Sequence, residues 1–502
     1  MPPMSSSAWH VRPRERWWLA AVCAVFGALS LTVVQPGLPL GWDEIVYASR
    51  FAPHGPGTPF SAPRTRGVPA LIAPVAAVSG SVVLLRCYLT LTASLALYLG
   101  YLPWLRAGAP RGVVPAAAAL YGSVWFALFY AGAAMPNHYV AMGLTCATGC
   151  LVRARRGWAA LAGAAGALAV AALIRPNDAV WPAAVLLAAA PAVRGRPCRP
   201  HPTGAAAVVG GVAAGLAPWA VEARLRFGGV LERVRAAEEV QGGMSPRLPL
   251  GTLKEHAAAL DGPLLCRPCD GAGIEWSGAG WWLLVPPLVG LGLRAARREG
   301  RTAWGTLPLA AAVAVAVPYL FFMGYAAPRF LLPAYALLAP VAALGVREAA
   351  RWARRVRARH VLLPLGGAIA ALHLALQLHQ LTLHSRIQAE ARHDWQRMER
   401  VLRAHGVRPP CVLAGTSATI PIAHTAGCRS TPAHRPSALV LRRAALPGWA
   451  SAAGWRLHRV PGTYNPDWHI AVPPPTAGTA RTRGASGAAR TPPGAAVGGG
   501  AR

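Results

Sequence analysis

The chain reads as an all-α polytopic membrane protein, with about eleven transmembrane helices and a small C-terminal extracytoplasmic α/β domain. Three observations predict this. Hydrophobic residues fill 54% of its 502 positions and charged residues only 14%, well below the roughly 25% charge of a soluble domain. Apolar blocks such as Leu19 to Val34, Val113 to Tyr130, Ala205 to Ala220 and Ala311 to Met323 recur along the sequence, a repeat that one buried core would not need. Arginines gather at the ends of those blocks, where they hold helix ends at the membrane face.

The first helix follows from its length. Residues 1–16 form a basic N-terminus, and the apolar run after it, Trp17 to Val34, is longer than the roughly 7–15 residues of a signal-peptide core. It is therefore an uncleaved crossing with a cytoplasmic N-terminus. Later basic clusters are Arg106 with Arg111, Arg153 to Arg156, Arg194 to Arg199, Arg294 to Arg301 and Arg347 to Arg359. All belong in the cytoplasm, so an even number of crossings separates each from the next. Three apolar stretches lie between Arg16 and Arg106, of which only two can cross. The middle one, Val68 to Leu85, carries Pro69, Pro74, Ser79, Gly80 and Ser81 and is laid along the outer surface, with Arg86 at its end.

The second crossing is then Cys87 to Leu105. The others are Val113 to Tyr130, Tyr139 to Leu151, Trp158 to Ile174, Ala179 to Val193, Ala205 to Ala220, Gly280 to Leu293, Trp304 to Met323, Phe330 to Val346 and Val361 to Leu381. The membrane domain spans 17–381 and leaves two long external loops, 35–86 and 222–279. Beyond it, 382–472 contains an amphipathic helix at Arg386 to His405, a strand at Cys411 to Gly415, and short apolar runs at Ala438 to Leu441 and Trp455 to Val460. Those pieces make a small extracytoplasmic α/β domain. Residues 473–502 are Pro, Gly, Ala, Thr and Arg without periodicity and read as disordered.

The formal charge of +32 does not indicate a nucleic-acid partner, because its arginines sit at the ends of apolar blocks instead of on one stripe. Lys254 is the only lysine. It stands alone in the second long loop, where a binding role and a solvated one are equally open.

Acids are scarce, which draws attention to Gly41-Trp-Asp-Glu44 just beyond the first crossing. A carboxylate there can act as a general base on an attacking hydroxyl. The plainer alternative is a solvated turn capping a short helix at Ile45 to Phe51. Arg50, Arg64, Arg66 and Arg86 follow on the side of the membrane where arginine is not expected. Phosphate oxygens, headgroup anchoring, or pairing with Asp43 and Glu44 would each account for them. Arg175-Pro-Asn-Asp178 marks another outer turn, in which Arg175 and Asp178 form either an ion pair or a functional site. Arg329 follows in Tyr325-Ala-Ala-Pro-Arg329, again on the unexpected side. Cys266-Arg-Pro-Cys269 has no second pair at zinc-ligand spacing and reads as a structural disulfide, and Cys411 and Cys428 are expected to be joined. His373, His379 and His384 are irregularly spaced, so no metal site is expected.

The order of these parts resembles the GT-C superfamily of membrane glycosyltransferases, especially its protein O-mannosyltransferase and aminoarabinose transferase branch. The likeness covers Trp17 to Leu381. Asp43-Glu44 matches the family's first-loop acidic motif, Pro63-Arg-Thr-Arg-Gly-Val-Pro69 looks like the basic stretch after it, and Arg86 looks like the arginine opening the second crossing. The resemblance implies an inverting transfer of a sugar from a polyprenyl-phosphate carrier, needing no further cofactor, to an extracytoplasmic acceptor. It makes Asp43 the base and Arg64, Arg66, Arg175 and Arg329 the phosphate contacts. Glu44, Arg86, Asp178 and Lys254 complete the expected substrate-binding set. Where the family often has a second acid, this chain has Asn137, which can hydrogen-bond to substrate but cannot take a proton. The partners expected are the lipid bilayer of the cell membrane and the lipid-linked sugar. A secondary transporter or a noncatalytic envelope protein are the alternatives. A transporter would need matched interrupted helices in two halves, which the sequence does not present.

Overall fold

A computed structural model describes residues 13–153, 157–190, 203–262, 264–267, 273–416, 418–430, 436–443 and 445–474. The basic residues expected at 154–156 and 194–199, Cys198, Cys269 and the tail beyond 474 lie outside them. The same is true of the N-terminal segment before Pro13.

The first helix, α1 (Pro13–Val33), opens with Pro13 and Glu15 in its first turn, a residue without a spare N–H and a charge suited to the helix dipole. The loop after it holds α2 (Trp42–Ala48) and α3 (Gly67–Ala76). Asp43 and Glu44 do not cap a helix at Ile45 to Phe51. They lie in the first turn of α2, whose N-cap is Gly41. The following crossing, α4 (Val82–Arg106), begins five residues before the expected Cys87 because Ser81 caps it, accepting from the Leu84 N–H at 3.3 Å. Arg86 therefore sits in the second turn of a crossing, not at the end of a surface helix.

Val113 to Tyr130, expected as one span, is α5 (Val113–Gly122) and α6 (Trp125–Ala131), bent by 79° at the break. Three short helices follow, α7 (Asn137–Arg153), α8 (Trp158–Ile174) and α9 (Pro176–Ala189), then α10 (Thr203–Phe227). The second loop carries α11 (Val230–Gln241) and α12 (Pro249–Ala259). The helix α13 (Trp276–Ala279) runs through a 3-10 turn into α14 (Val285–Arg298), and α15 (Thr302–Phe321) and α16 (Leu332–Arg355) follow. Among the described residues seven helices are long and apolar enough to cross a membrane, or eight counting the bent pair as one. The further crossings expected at Tyr139 to Leu151, Trp158 to Ile174 and Ala179 to Val193 coincide with α7, α8 and α9, of 17, 17 and 14 residues, shorter than the ~20 of a full span.

The expected boundary at Leu381 is absent. The helix α17 (Arg359–Ala404) runs unbroken for 46 residues, about 70 Å at ~1.5 Å per residue. After Gly367 it contains no glycine or proline, so its side chains change from apolar to amphipathic while the backbone ladder has no reason to stop.

The terminal unit is a five-stranded sheet in the order β2-β1-β3-β5-β4, built from β1 (Val412–Gly415), β2 (Arg429–Ser430), β3 (Ala438–Arg442), β4 (Arg456–Arg459) and β5 (Trp468–Val472). β1 pairs parallel with β2 and β3, and β5 pairs antiparallel with β3 and β4. The helices α18 (Thr419–Ala426) and α19 (Gly448–Ala452) complete it, and Cys411 is disulfide-bonded to Cys428. Met398 and Leu402 of α17 are buried in one core with Leu413, Ile422, Val440 and Ile470. Two N–H groups, of Tyr464 and Asn465, donate to the Asp394 carboxylate at 2.7 and 2.9 Å. The last turns of α17 thus belong to the sheet domain, and α18 packs back on α2.

Candidate active site

The short helix α2 stands beside the C-terminal end of α1 because Glu44 is tied in five ways. Its carboxylate reaches back to the Gly41 N–H at 2.7 Å and accepts the Ala134 N–H at 2.9 Å. Arg86 grips it with both terminal nitrogens, at 2.5 and 2.9 Å, and Arg392 of α17 stands 3.6 Å away. Arg86 also donates to the carbonyls of Leu38, Pro39 and Gly132. Glu44, Arg86 and Arg392 are all buried. Burial works to raise the Glu44 carboxyl, and the Arg86 guanidinium outweighs it, holding the group at about 2. Charges so enclosed must be paired, and an ion pair with satisfied hydrogen bonds is the arrangement that permits it.

Asp43 faces a different set of cations. Arg64 donates to its Oδ1 at 2.7 Å and Arg329 stands 3.5 Å from its Oδ2. Burial tends to raise this carboxyl too, but Arg64 and Arg329, with Arg175 further off, bring it below its ordinary value. The side chain keeps 30% of its surface exposed, so it is reachable.

Each of those guanidiniums is held from behind. Arg64 lies over the rings of Trp42 and Tyr47, 4.9 and 5.2 Å from their centroids, and its carbonyl accepts from the buried Arg233 at 2.7 Å. Arg329 donates to the Leu264 carbonyl at 2.8 Å and the Tyr130 hydroxyl at 3.1 Å. Arg175 pairs with Asp178 at 3.0 Å, whose carboxylate also accepts the Tyr319 hydroxyl. The Phe330 ring lies within cation–π range of both Arg175 and Arg329, 5.6 and 5.2 Å from it.

Asp43, Glu44, Arg86 and Arg329 share the wall of a cavity of about 240 Å³. Its lining also includes the apolar Leu31, Val34, Phe129 and Met135, together with Trp42, Gln388, Arg392 and Trp395. Arg64 touches Asp43 from outside this lining. Five other residues picked out in the sequence lie outside the lining, Arg175 among them. Arg66 pairs with Glu222 at 2.5 Å. Lys254 is exposed on α12 and makes no ion pair among the described residues. Asn137 is fully buried, and neither amide atom has a hydrogen-bond partner. Asp178 is bound to Arg175 and Tyr319. Cys266 is disulfide-bonded, and Cys269 lies outside the described residues. No group of three or more His, Cys, Asp or Glu side chains that could hold a metal occurs among the described residues.

Sequence reasoning missed Tyr130, Gln388, Arg392 and Trp395. Arg392 left a faint signal as one charged residue among many on an amphipathic helix, a pattern that ordinarily marks a solvated face. Tyr130 closes an apolar block and carries no charge to single it out.

Two solved structures share this arrangement of helices and terminal sheet. The crystal structure of ArnT from Cupriavidus metallidurans bound to undecaprenyl phosphate aligns with a TM-score of 0.59, covering 91% of this chain and 98% of that chain at 13% identity. Its apo state aligns with a TM-score of 0.56, covering 91% and 97% at 12% identity. The chain shares the fold of these two structures. At such identity the likeness fixes the fold alone, and function has to be argued from the site. No protein-family model and no curated protein matches the sequence.

Proposed function

We propose that the chain is a glycosyltransferase of the GT-C type, which moves a sugar from a polyprenyl-phosphate carrier to a hydroxyl acceptor, with inversion and with Asp43 as general base. The observation that carries this reading is the Asp43 carboxylate, part-exposed on the cavity and gripped by guanidiniums from two remote turns. The GT-C fold supports it, because a protein of that fold has been crystallised with undecaprenyl phosphate. The apolar part of the cavity lining, Leu31, Val34, Phe129 and Met135, suits the first isoprene units of such a carrier.

In this mechanism the acceptor oxygen attacks the anomeric carbon while the bond from that carbon to the carrier phosphate breaks. The acceptor proton passes to Asp43, and the phosphate leaves with one more negative charge. Arg329 and Arg64 are placed to take up that charge, and fixed guanidiniums do so without reorganising solvent. The same two arginines lower the basicity of Asp43 in the free protein. As the donor phosphate draws them off, the carboxyl rises toward the range in which a base is effective. The second carboxylate, Glu44, is locked between Arg86 and Arg392 and has no proton-transfer role.

On this reading the N-terminus is cytoplasmic, and the first loop, the second loop and the terminal sheet are on the far side of the cell membrane. The test is transfer from labelled undecaprenyl-phosphate sugars to envelope extract by purified protein. Asp43→Asn is expected to lower the rate by about 10² to 10⁴. Equal transfer by wild type and Asp43→Asn would reject Asp43 as base.

A further inference from the structure

Arg66, expected beside the phosphate, belongs to a second cationic cluster on the membrane face that carries the first loop. Its Nε and Nη2 donate to Oε1 of Glu222 at 3.0 and 2.5 Å. Arg226 stands 3.6 Å from the same oxygen, and Arg233 donates to Oε2 at 3.1 Å. Arg50, which donates to the Thr58 carbonyl, also lies near Phe60, whose ring centroid is 5.6 Å from the Arg50 guanidinium and 4.4 Å from that of Arg66. Three guanidiniums therefore share one carboxylate, with Arg50 beside them, and no other acid lies within ion-pair range of the four among the described residues. Burial, then the charges of Arg66 and Arg226, push Arg50 below its ordinary value, and its Nε has no hydrogen-bond partner. Such a gathering of like charge needs a counter-ion.

The surroundings say where that anion comes from. On α10, Val221 and Leu225 beside these arginines are 59% and 78% exposed, and α11 presents Val230, Leu231, Val234 and Val240 outward. Apolar side chains so placed meet acyl chains, with α11 lying in the interfacial plane. The arginines between them stand at the level of the headgroups. Water alone does not account for cations collected on this face, since arginine is concentrated on the opposite side of membranes.

We propose that Arg50, Arg66 and Arg226 form a binding site for the phosphate headgroup of an anionic phospholipid, distinct from the Asp43 cavity. The site rests on that reading for the side of the membrane it occupies, and not on the transfer chemistry at Asp43. Arg226 and Arg66 both reach Oε1 of Glu222, which fixes their spacing, and planar guanidiniums match phosphate oxygens in pairs. Arg233 is the buried member, tied to the carbonyls of Ala62, Arg64 and Trp219, and holds the loop in place beneath the site.

The experiment titrates the purified full-length chain in neutral detergent with short-chain phosphatidylglycerol, reading intrinsic tryptophan fluorescence and melting temperature. Phosphatidylcholine of equal chain length and inorganic phosphate form the comparison arms. Saturable binding of phosphatidylglycerol and none of phosphatidylcholine is expected. The affinity should fall about fivefold in Arg226→Gln, which removes an exposed side chain and spares the fold. It should fall about twenty-fold in Arg226→Gln with Arg66→Gln. Arg351→Gln, at the opposite end of the helices, should leave it unchanged. Equal affinity in the double variant, or equal binding of phosphatidylcholine, overturns the site. Displacement of the lipid by millimolar inorganic phosphate overturns the lipid assignment in favour of a soluble phosphate; resistance to it supports the headgroup.

Discussion

Arg329 and Asp43 are 286 residues apart in the chain and face each other at 3.5 Å. With Arg64 on the other carboxylate oxygen, this contact leaves Asp43 below its ordinary value of 3.8 despite the burial that opposes it. A base depressed in this way is already deprotonated at neutral pH. The acid limb of kcat/KM, which reports the free protein, is therefore expected below pH 3.8. Arg64→Gln removes a lowering charge, so the limb should move to higher pH while the rate falls. A pH–rate profile measured on both proteins checks this. A limb that stays in place in Arg64→Gln would detach it from Asp43.

Glu44 predicts a stability effect. Its carboxyl is depressed from 4.5 to about 2 on folding, so the stabilisation it gives is complete above pH 4.5 and is lost as pH falls toward 2. Glu44→Gln leaves Arg86 and Arg392 buried without their counter-charge, a loss of about 3–5 kcal/mol. Melting temperatures in detergent should show that loss at pH 7, together with a flatter pH dependence below 4.5. Arg392→Gln, which leaves the Arg86 pair intact, should cost less than Glu44→Gln.

Much of this was legible in the sequence because the chemistry is rare there. A chain with 18 acids makes an Asp-Glu pair conspicuous, and arginines on the less favoured side of the membrane are conspicuous for the same reason. What could not be read was pairing over distance. Arg66 and Arg64 are two residues apart and identical in type, yet one meets Glu222 and the other Asp43, because the backbone leaves the extended path at Arg66, the N-cap of α3 with φ -81° and ψ -5°. The length of α17 was also hidden, since its change of hydropathy at Leu381 looks like an end although nothing in the backbone chemistry ends there. The bend between α5 and α6 had a local sign in Gly122-Ser123, inside a block whose apolar character masked it.

Lys254 separates the geometry from simple charge counting. It is exposed on α12 and does not line the cavity. Lys254→Ala should leave the transfer rate within about twofold, since exposed substitutions away from such features change energies by only ~0.5 kcal/mol. Arg329→Lys keeps the charge but loses the planar fork shared among Asp43, Tyr130 and Leu264, and should lower transfer by about tenfold or more. Parallel kinetics on the two variants decide the point.

The disulfide gives a local prediction. Cys411 and Cys428 close a loop across 17 residues of sequence, and a loop of that size stabilises by about 3 kcal/mol. In Cys411→Ser with Cys428→Ser, hydrogen exchange should quicken in β1, α18 and β2, leaving the membrane helices protected as before. Uniform exchange throughout the chain would show that the sheet domain and the membrane helices unfold as one unit.

The single rod of α17 alters what truncation means for this molecule. Cutting the polypeptide at the point where its last apolar stretch ends deletes Gln388, Arg392 and Trp395 and opens one side of the chamber around Glu44. Reporter fusions made there, the usual way to map which side a terminus occupies, would be reading a breached vessel.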